Sequence, residues 1–277
     1  MKKFILLAAS IAAVLMCVSC NKGGNGKTVL PAPANAQYAK KMNLQNNTSG
    51  IRSIELTESG RFIVAEVKDG KTTYMRGKYT VLKSTQEYLL NGYGTVTIED
   101  NNITVAPEKG DTITVTFTEA ESFPENEFYT TIARAWKVDK TDLSVNLNGT
   151  VVGVVKNGCD IPAIASELNS KGLNINVAAL EGFVVSEINY TMAKTIEIAF
   201  TGNGKQSFVG SFSLSETGTF GYTLEGNKGN DIISGSATGS IDNTKEEGKI
   251  YVSFSCEVTS GSSSYNGTVM FILSPAA

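Results

Sequence analysis

Alternation of apolar and polar residues at period two dominates the chain from about residue 50 onward. Residues 51–56, 61–67 and 72–82 alternate in this way, separated by the turn sequences ESGR (58–61) and KDGK (68–71). Such runs, punctuated by Gly, Asp and Asn, predict half-buried strands joined by tight hairpins. Shorter runs at 88–90, 95–98, 103–105 and 112–117 continue the series, with NGYG, EDNN and EKGD between them. The second half repeats the habit at 183–190, 195–201, 207–214, 219–224, 231–240, 249–258 and 265–273. Short sequential strands with turns between them predict a mainly β fold: an antiparallel meander, or one or two antiparallel barrels.

Two interruptions carry a helical period. After Phe123-Pro124, the residues Phe128, Ile132, Ala135 and Trp136 recur at helical spacing, and Glu125 and Glu127 suit a first turn. Residues 143–155 return to strand. Asp160 then stands where an N-cap is wanted, with Pro162 in the first turn. Ile161, Ile164, Ala165 and Leu168 form an apolar stripe, and Gly172 ends it. The organisation read from these patterns is a leader at 1–19, a tether at 20–45, a β-meander at 46–120, and a second β domain with two short helices at 121–277.

The N-terminus has a different character. Lys2 and Lys3 precede an apolar run at 4–18 that is too short for a span of roughly 20 residues but suits a signal-peptide core. Within LMCVSCNKGGNGKT (15–28), small Ser19 precedes Cys20. This stretch resembles a bacterial lipoprotein signal, which implies cleavage before Cys20 and lipidation of its thiol. Cys17 occupies the position where that pattern has Leu. The GKT at 26–28 fails as a phosphate loop, because Asn21 stands where the first glycine is needed and Pro31 and Pro33 follow. The stretch reads as a flexible tether.

Composition narrows the chemistry. Taking away residues 1–19 removes two lysines and no acid, leaving 22 basic against 27 acidic residues, a charge of −5. No basic excess points to nucleic acid or to anionic lipid. The chain has no histidine, which excludes Ser-His-Asp and Cys-His catalysis and the usual histidine-containing zinc sites. No catalytic residue, metal ligand or cofactor motif is assigned. Glu119, Glu121, Glu125 and Glu127 cluster at a predicted helix start, where dipole and solvation account for them. DNTKEEG (242–248) fails as a calcium loop, since Glu247 stands where the turn glycine belongs. Cys159 and Cys256 remain downstream. An exported chain allows them to pair, and the apolar phase of Val252, Phe254, Cys256 and Val258 also suits a free buried thiol.

The tethered cysteine, AWKV at 135–138 and FTGNGKQSFVGSFSLSETGTFGYTLEG at 200–226 together resemble lipocalin-like lipoproteins of Bacteroidetes-type bacteria. In lipocalins a Gly-x-Trp triplet opens the barrel and its Trp packs across one end; here the triplet is Arg134-Ala135-Trp136. The resemblance implies a lipid-anchored, non-enzymatic envelope protein. Without acidic residues after Cys20, it also implies an outer-membrane anchor facing the periplasm. A small hydrophobic molecule, a glycan or an envelope protein are the open choices of partner. Trp136, Tyr74 and Tyr79 are the candidate ligand-contacting residues, each with an ordinary core or strand role as the alternative. An envelope module with filled cores, and a carboxylate-dependent hydrolase, are the competing functions.

Overall fold

The computed structural model describes residues 29–46, 48–83, 86–201, 207–228, 231–260 and 263–276. Cys20 and residues 1–19, read above as a signal peptide, lie outside them. The first barrel contains eight strands: β1 Lys40–Leu44, β2 Ile51–Leu56, β3 Arg61–Lys68, β4 Lys71–Lys83, β5 Glu87–Leu90, β6 Gly94–Glu99, β7 Asn102–Pro107 and β8 Ile113–Glu119. Each pairs antiparallel with its sequence neighbour, and β1 closes on β8 through Met42↔Glu119, Asn43↔Thr118 and Leu44↔Phe117. The turn within KDGK has both Asp69 (φ 52°) and Gly70 (φ 74°) left-handed, as a two-residue hairpin turn requires. β1 falls within the segment read as tether. A 3₁₀ turn, Ala36–Tyr38, precedes it and brings Tyr38 edge-on to Tyr88, with ring centroids 6.4 Å apart.

Residues 120–134 lead into the second barrel through α1, Glu127–Ile132, whose N-cap Asn126 accepts from Tyr129 N–H at 3.0 Å. The helix stops before Ala135 and Trp136, which instead open β9, Ala135–Leu147. An Asn148-Gly149 turn, both residues left-handed, then reverses the chain into β10, Thr150–Asn157. Residues 143–155, read as one strand, are therefore a hairpin. β11 (Cys159–Asp160) leads to α2, Ile161–Ser170, where Asp160 Oδ1 accepts from Ala163 N–H at 2.9 Å. The remaining strands are β12 Val184–Tyr190, β13 Thr195–Thr201, β14 Ser207–Leu214, β15 Thr219–Lys228, β16 Asp231–Asp242, β17 Ile250–Ser260 and β18 Ser263–Pro275.

Their order is β10-β9-β18-β17-β16-β15-β14-β13-β12-β11, and a β9–β12 pairing closes eight of them into a second antiparallel barrel. That closure is short, limited to Ile188↔Trp136 and Asn189↔Ala135. Beyond it β9 and β12 part, and β10 and β11 pair with their outer edges. The chain is thus mainly β, with two closed eight-stranded barrels and few short helices.

Candidate functional site

Both barrel interiors are filled by side chains. In the first, Tyr79 and Tyr88 meet edge to face at 6.0 Å and Phe62 lies 6.1 Å from Tyr93. In the second, Phe183, Phe200 and Phe208 interlock at 5.1–6.0 Å, and Phe254 meets Phe271 at 5.3 Å. The interior void there, lined by Cys159, Ile188, Tyr190, Phe220 and Phe254 among others, is about 20 Å³. That is space for about one water, with apolar walls that would leave it dry.

Of the sequence-predicted residues, Trp136 and Tyr79 lie in the two cores and Tyr74 does not. Trp136 is fully buried, donates from Nε1 to Ile132 O at 2.9 Å, and has the Arg134 guanidinium 5.9 Å above its ring. Tyr79 is buried and donates to Thr57 O at 3.2 Å. Tyr74 is half-buried on β4, close enough to Glu225 of the second barrel for that charge, after burial, to raise its pKa. Cys159 and Cys256 are free thiols and not a disulfide; burial pushes each up to about 12, which leaves them unreactive. Glu119, Glu121, Glu125 and Glu127 are exposed, with Glu119 and Glu121 beside Lys40 and Lys194. Among the described residues, no group of three or more His, Cys, Asp or Glu side chains could hold a metal ion.

The polar chemistry gathers instead where the barrels meet. Alternation fails on β3 and β13, whose outward residues Ile63, Ala65, Glu197 and Ala199 are as buried as the inward ones. These are the faces one barrel turns to the other. Arg76 Nη1 bonds Glu197 Oε1 at 2.9 Å, and Arg61 pairs with Glu187. Lys41 Nζ donates to Thr195 Oγ1 at 2.8 Å and lies 3.7 Å from Glu55, which accepts from Thr191 Oγ1 at 2.6 Å. Ser59 Oγ donates to Asn189 Oδ1 at 3.1 Å, and Met192 N–H donates to Glu58 Oε1 at 3.1 Å. Every one of these contacts except Lys41–Glu55 joins the two barrels.

Burial pushes the Glu58 carboxyl up to about 7, and its second oxygen is buried without a partner. Burial also raises Glu55 against the pull of Lys41, and Glu187 against that of Arg61. Among the described residues, Glu55, Glu58, Glu187 and Glu197 line neither the interior void above nor the two outer hollows described below. The seam holds the two barrels to each other through these side chains. Period-two alternation alone gives Glu55, Glu187 and Glu197 an outward position. The signal that marks three of them is an apolar residue in the same outward phase: Ile63 lies opposite Glu55, and Ala199 lies opposite Glu187 and two residues after Glu197.

Two open hollows mark the outside of the second barrel. One, about 530 Å³, runs from Val151 on β10 across Ser144, Thr268 and Ser255 to Ser236 on β16. The other, about 440 Å³, lies over Ser211, Ser213, Thr223 and Thr238. Small polar side chains floor both. The chain matches no protein-family model, and no curated protein matches its sequence.

Proposed function

We propose that this is a lipid-anchored, non-enzymatic module of the cell envelope that binds a macromolecular partner from its outer surface and carries no small molecule inside. Cys20 is its anchor, and the outer membrane, facing the periplasm, its place. The observation that carries the reading is the filled interior: a void of about 20 Å³ against the roughly 300–1,000 Å³ of ordinary ligand pockets. The absence of histidine and the locking of buried glutamates into a structural seam support a role without catalysis.

Native mass spectrometry of the protein from its own host tests the interior. The mass of the chain plus acyl groups alone is expected, and a stoichiometric small molecule released on denaturation would overturn the reading. Cys20→Ser tests the anchor separately: loss of the acyl mass and of membrane fractionation is expected, and an unchanged membrane fraction would remove Cys20 from its role.

A further inference from the structure

Among the described residues, three buried side-chain polar atoms lack a hydrogen-bond partner: Glu58 Oε2, Glu187 Oε1 and Asn189 Nδ2. All three belong to residues of the seam. Unpaired polar atoms are costly in an interior, so their gathering at one joint marks that joint as a weak place in the fold.

The charges of the seam are also unequal. Four carboxylates, Glu55, Glu58, Glu187 and Glu197, meet three cations, Lys41, Arg61 and Arg76. Lys41 is 3.7 Å from Glu55 and Arg76 2.9 Å from Glu197. Arg61 pairs with Glu187, and Lys78 adds a longer-range pull there. Among the described residues, no cation faces Glu58, although it is only 5% exposed. From its own barrel Glu55 on β2 and the Tyr79 hydroxyl on β4 face it, and both resist a negative charge at that place. Its own backbone N–H lies beside the carboxyl. From the second barrel the β12–β13 turn offers Met192 N–H at 3.1 Å, while Lys194 of that turn is held 3.0 Å from Glu121. A buried carboxyl with no cation favours its neutral form, and contact with water favours ionisation. One proton on Glu58 also removes the excess of negative charge from the seam.

We infer that Glu58 is a proton-operated latch between the barrels: its protonation favours the closed joint on Met192, and loss of that proton favours an open one. Opening hydrates the carboxylate and uncovers the apolar residues Ile63, Ala65 and Ala199. Arg76–Glu197, Arg61–Glu187 and Lys41–Thr195 continue to draw the barrels together, so the latch tunes how often the joint opens. The carboxyl titrates near its ordinary 4.5 in water and at about 7 in the closed seam. The closed joint is therefore fully favoured below 4.5 and loses this support as pH rises to about 7. The span is worth up to about 300-fold in the ratio of open to closed. This inference does not rest on the anchoring or partner reading above.

Hydrogen exchange of the full chain in detergent micelles, read at single amides by NMR from pH 4.5 to about 8 and corrected for intrinsic rates, tests it. Protection of the Met192 amide should fall about tenfold per pH unit and level off above about 7, by up to about 300-fold in all. The Ile175 amide of the same barrel, held by Asn169 Oδ1 at 2.7 Å, should keep its protection. In Glu58→Gln the Met192 protection should become independent of pH. The carboxyl carbon of Glu58 in the unsubstituted protein gives a measurement that needs no variant, and it should titrate near 7. Titration of that carbon near 4.5, Met192 protection that ignores pH, an unchanged pH dependence in Glu58→Gln, or a parallel fall at Ile175 overturns the proposal.

Discussion

The first barrel pairs only sequence neighbours, from Lys40 to Glu119, and closes when its last strand meets its first. The second has the same number of closing strands, but its joint between β9 and β12 holds at two residue pairs and then opens. Among the described residues, 38 form the second core and 16 the first. The larger interior draws on more than strand side chains. α2 contributes Ile161, Ile164, Ala165 and Leu168, and the chain after it contributes Leu173, Ile175 and Leu180. Asn174 N–H donates to Ser260 Oγ at 2.6 Å, tying this segment to the far end of β17. Equal strand number thus does not set how an interior is filled. The short barrel fills its interior with strand side chains, and the larger one adds the apolar stripe of α2 to its core.

The most direct way to break this comparison is to empty the second core. Trp136→Ala removes the largest fully buried side chain and should cost about 4 kcal/mol in urea unfolding. The first barrel should keep its own transition if the two are separate cooperative units. Arg76→Ala attacks the seam instead. It strands Glu197, whose side chain is 2% exposed, and should cost about 3 kcal/mol while splitting one unfolding transition into two.

The pH dependence of the seam is a somewhat smaller effect. Glu58 is raised from 4.5 to about 7 in the folded protein, so the folded state holds the proton more tightly than the unfolded chain. Stability should therefore fall as pH rises from about 4.5 through 7, by up to about 3 kcal/mol. Glu58→Gln should flatten that slope and keep the acceptor for Met192 N–H; an unchanged slope would place the titration elsewhere. Smallest is Asp160→Ala, which removes the α2 N-cap and should cost about 1 kcal/mol, confined to the second barrel.

Strands were legible wherever one face met a core and the other met water. Residues 207–214 show this at their observed bounds; residues 195–201 have the expected bounds although both their faces are buried. β1 was missed because KKMNL offers only two apolar side chains after two lysines. The start of β9 was taken for helix because Phe128, Ile132, Ala135 and Trp136 fit a 3.6-residue period by coincidence, the first two being helical and the last two strand. The β9–β10 turn was hidden by flanking valines and leucines, although Asn148-Gly149 is a strong hairpin signal. The seam was unreadable as a site for a different reason. A charged residue in the outward phase of a strand looks the same in sequence whether it faces solvent or a second barrel. Only the companion apolar residues Ile63, Ala65 and Ala199 separate the cases.

The distribution of pairings along the chain also sets an order of events during synthesis. The first barrel has all its partners once residue 119 has emerged, and its contacts are local. The second cannot close until β18 reaches β9, pairing Pro275 with Trp136 across almost its whole length. Long loop closure of this kind is slow. The segment before β1 must wait as well, since Leu30 N–H donates to Thr131 Oγ1 and Arg134 Nη2 to Pro31 O. For most of its emergence the chain is one finished barrel trailing an unfinished one, with the Arg61, Arg76 and Lys41 face exposed and waiting for its glutamates. A stalled or truncated chain would therefore present a folded head with its Ile63 and Ala65 side chains and the charged groups of Lys41, Glu55, Glu58, Arg61 and Arg76 uncovered.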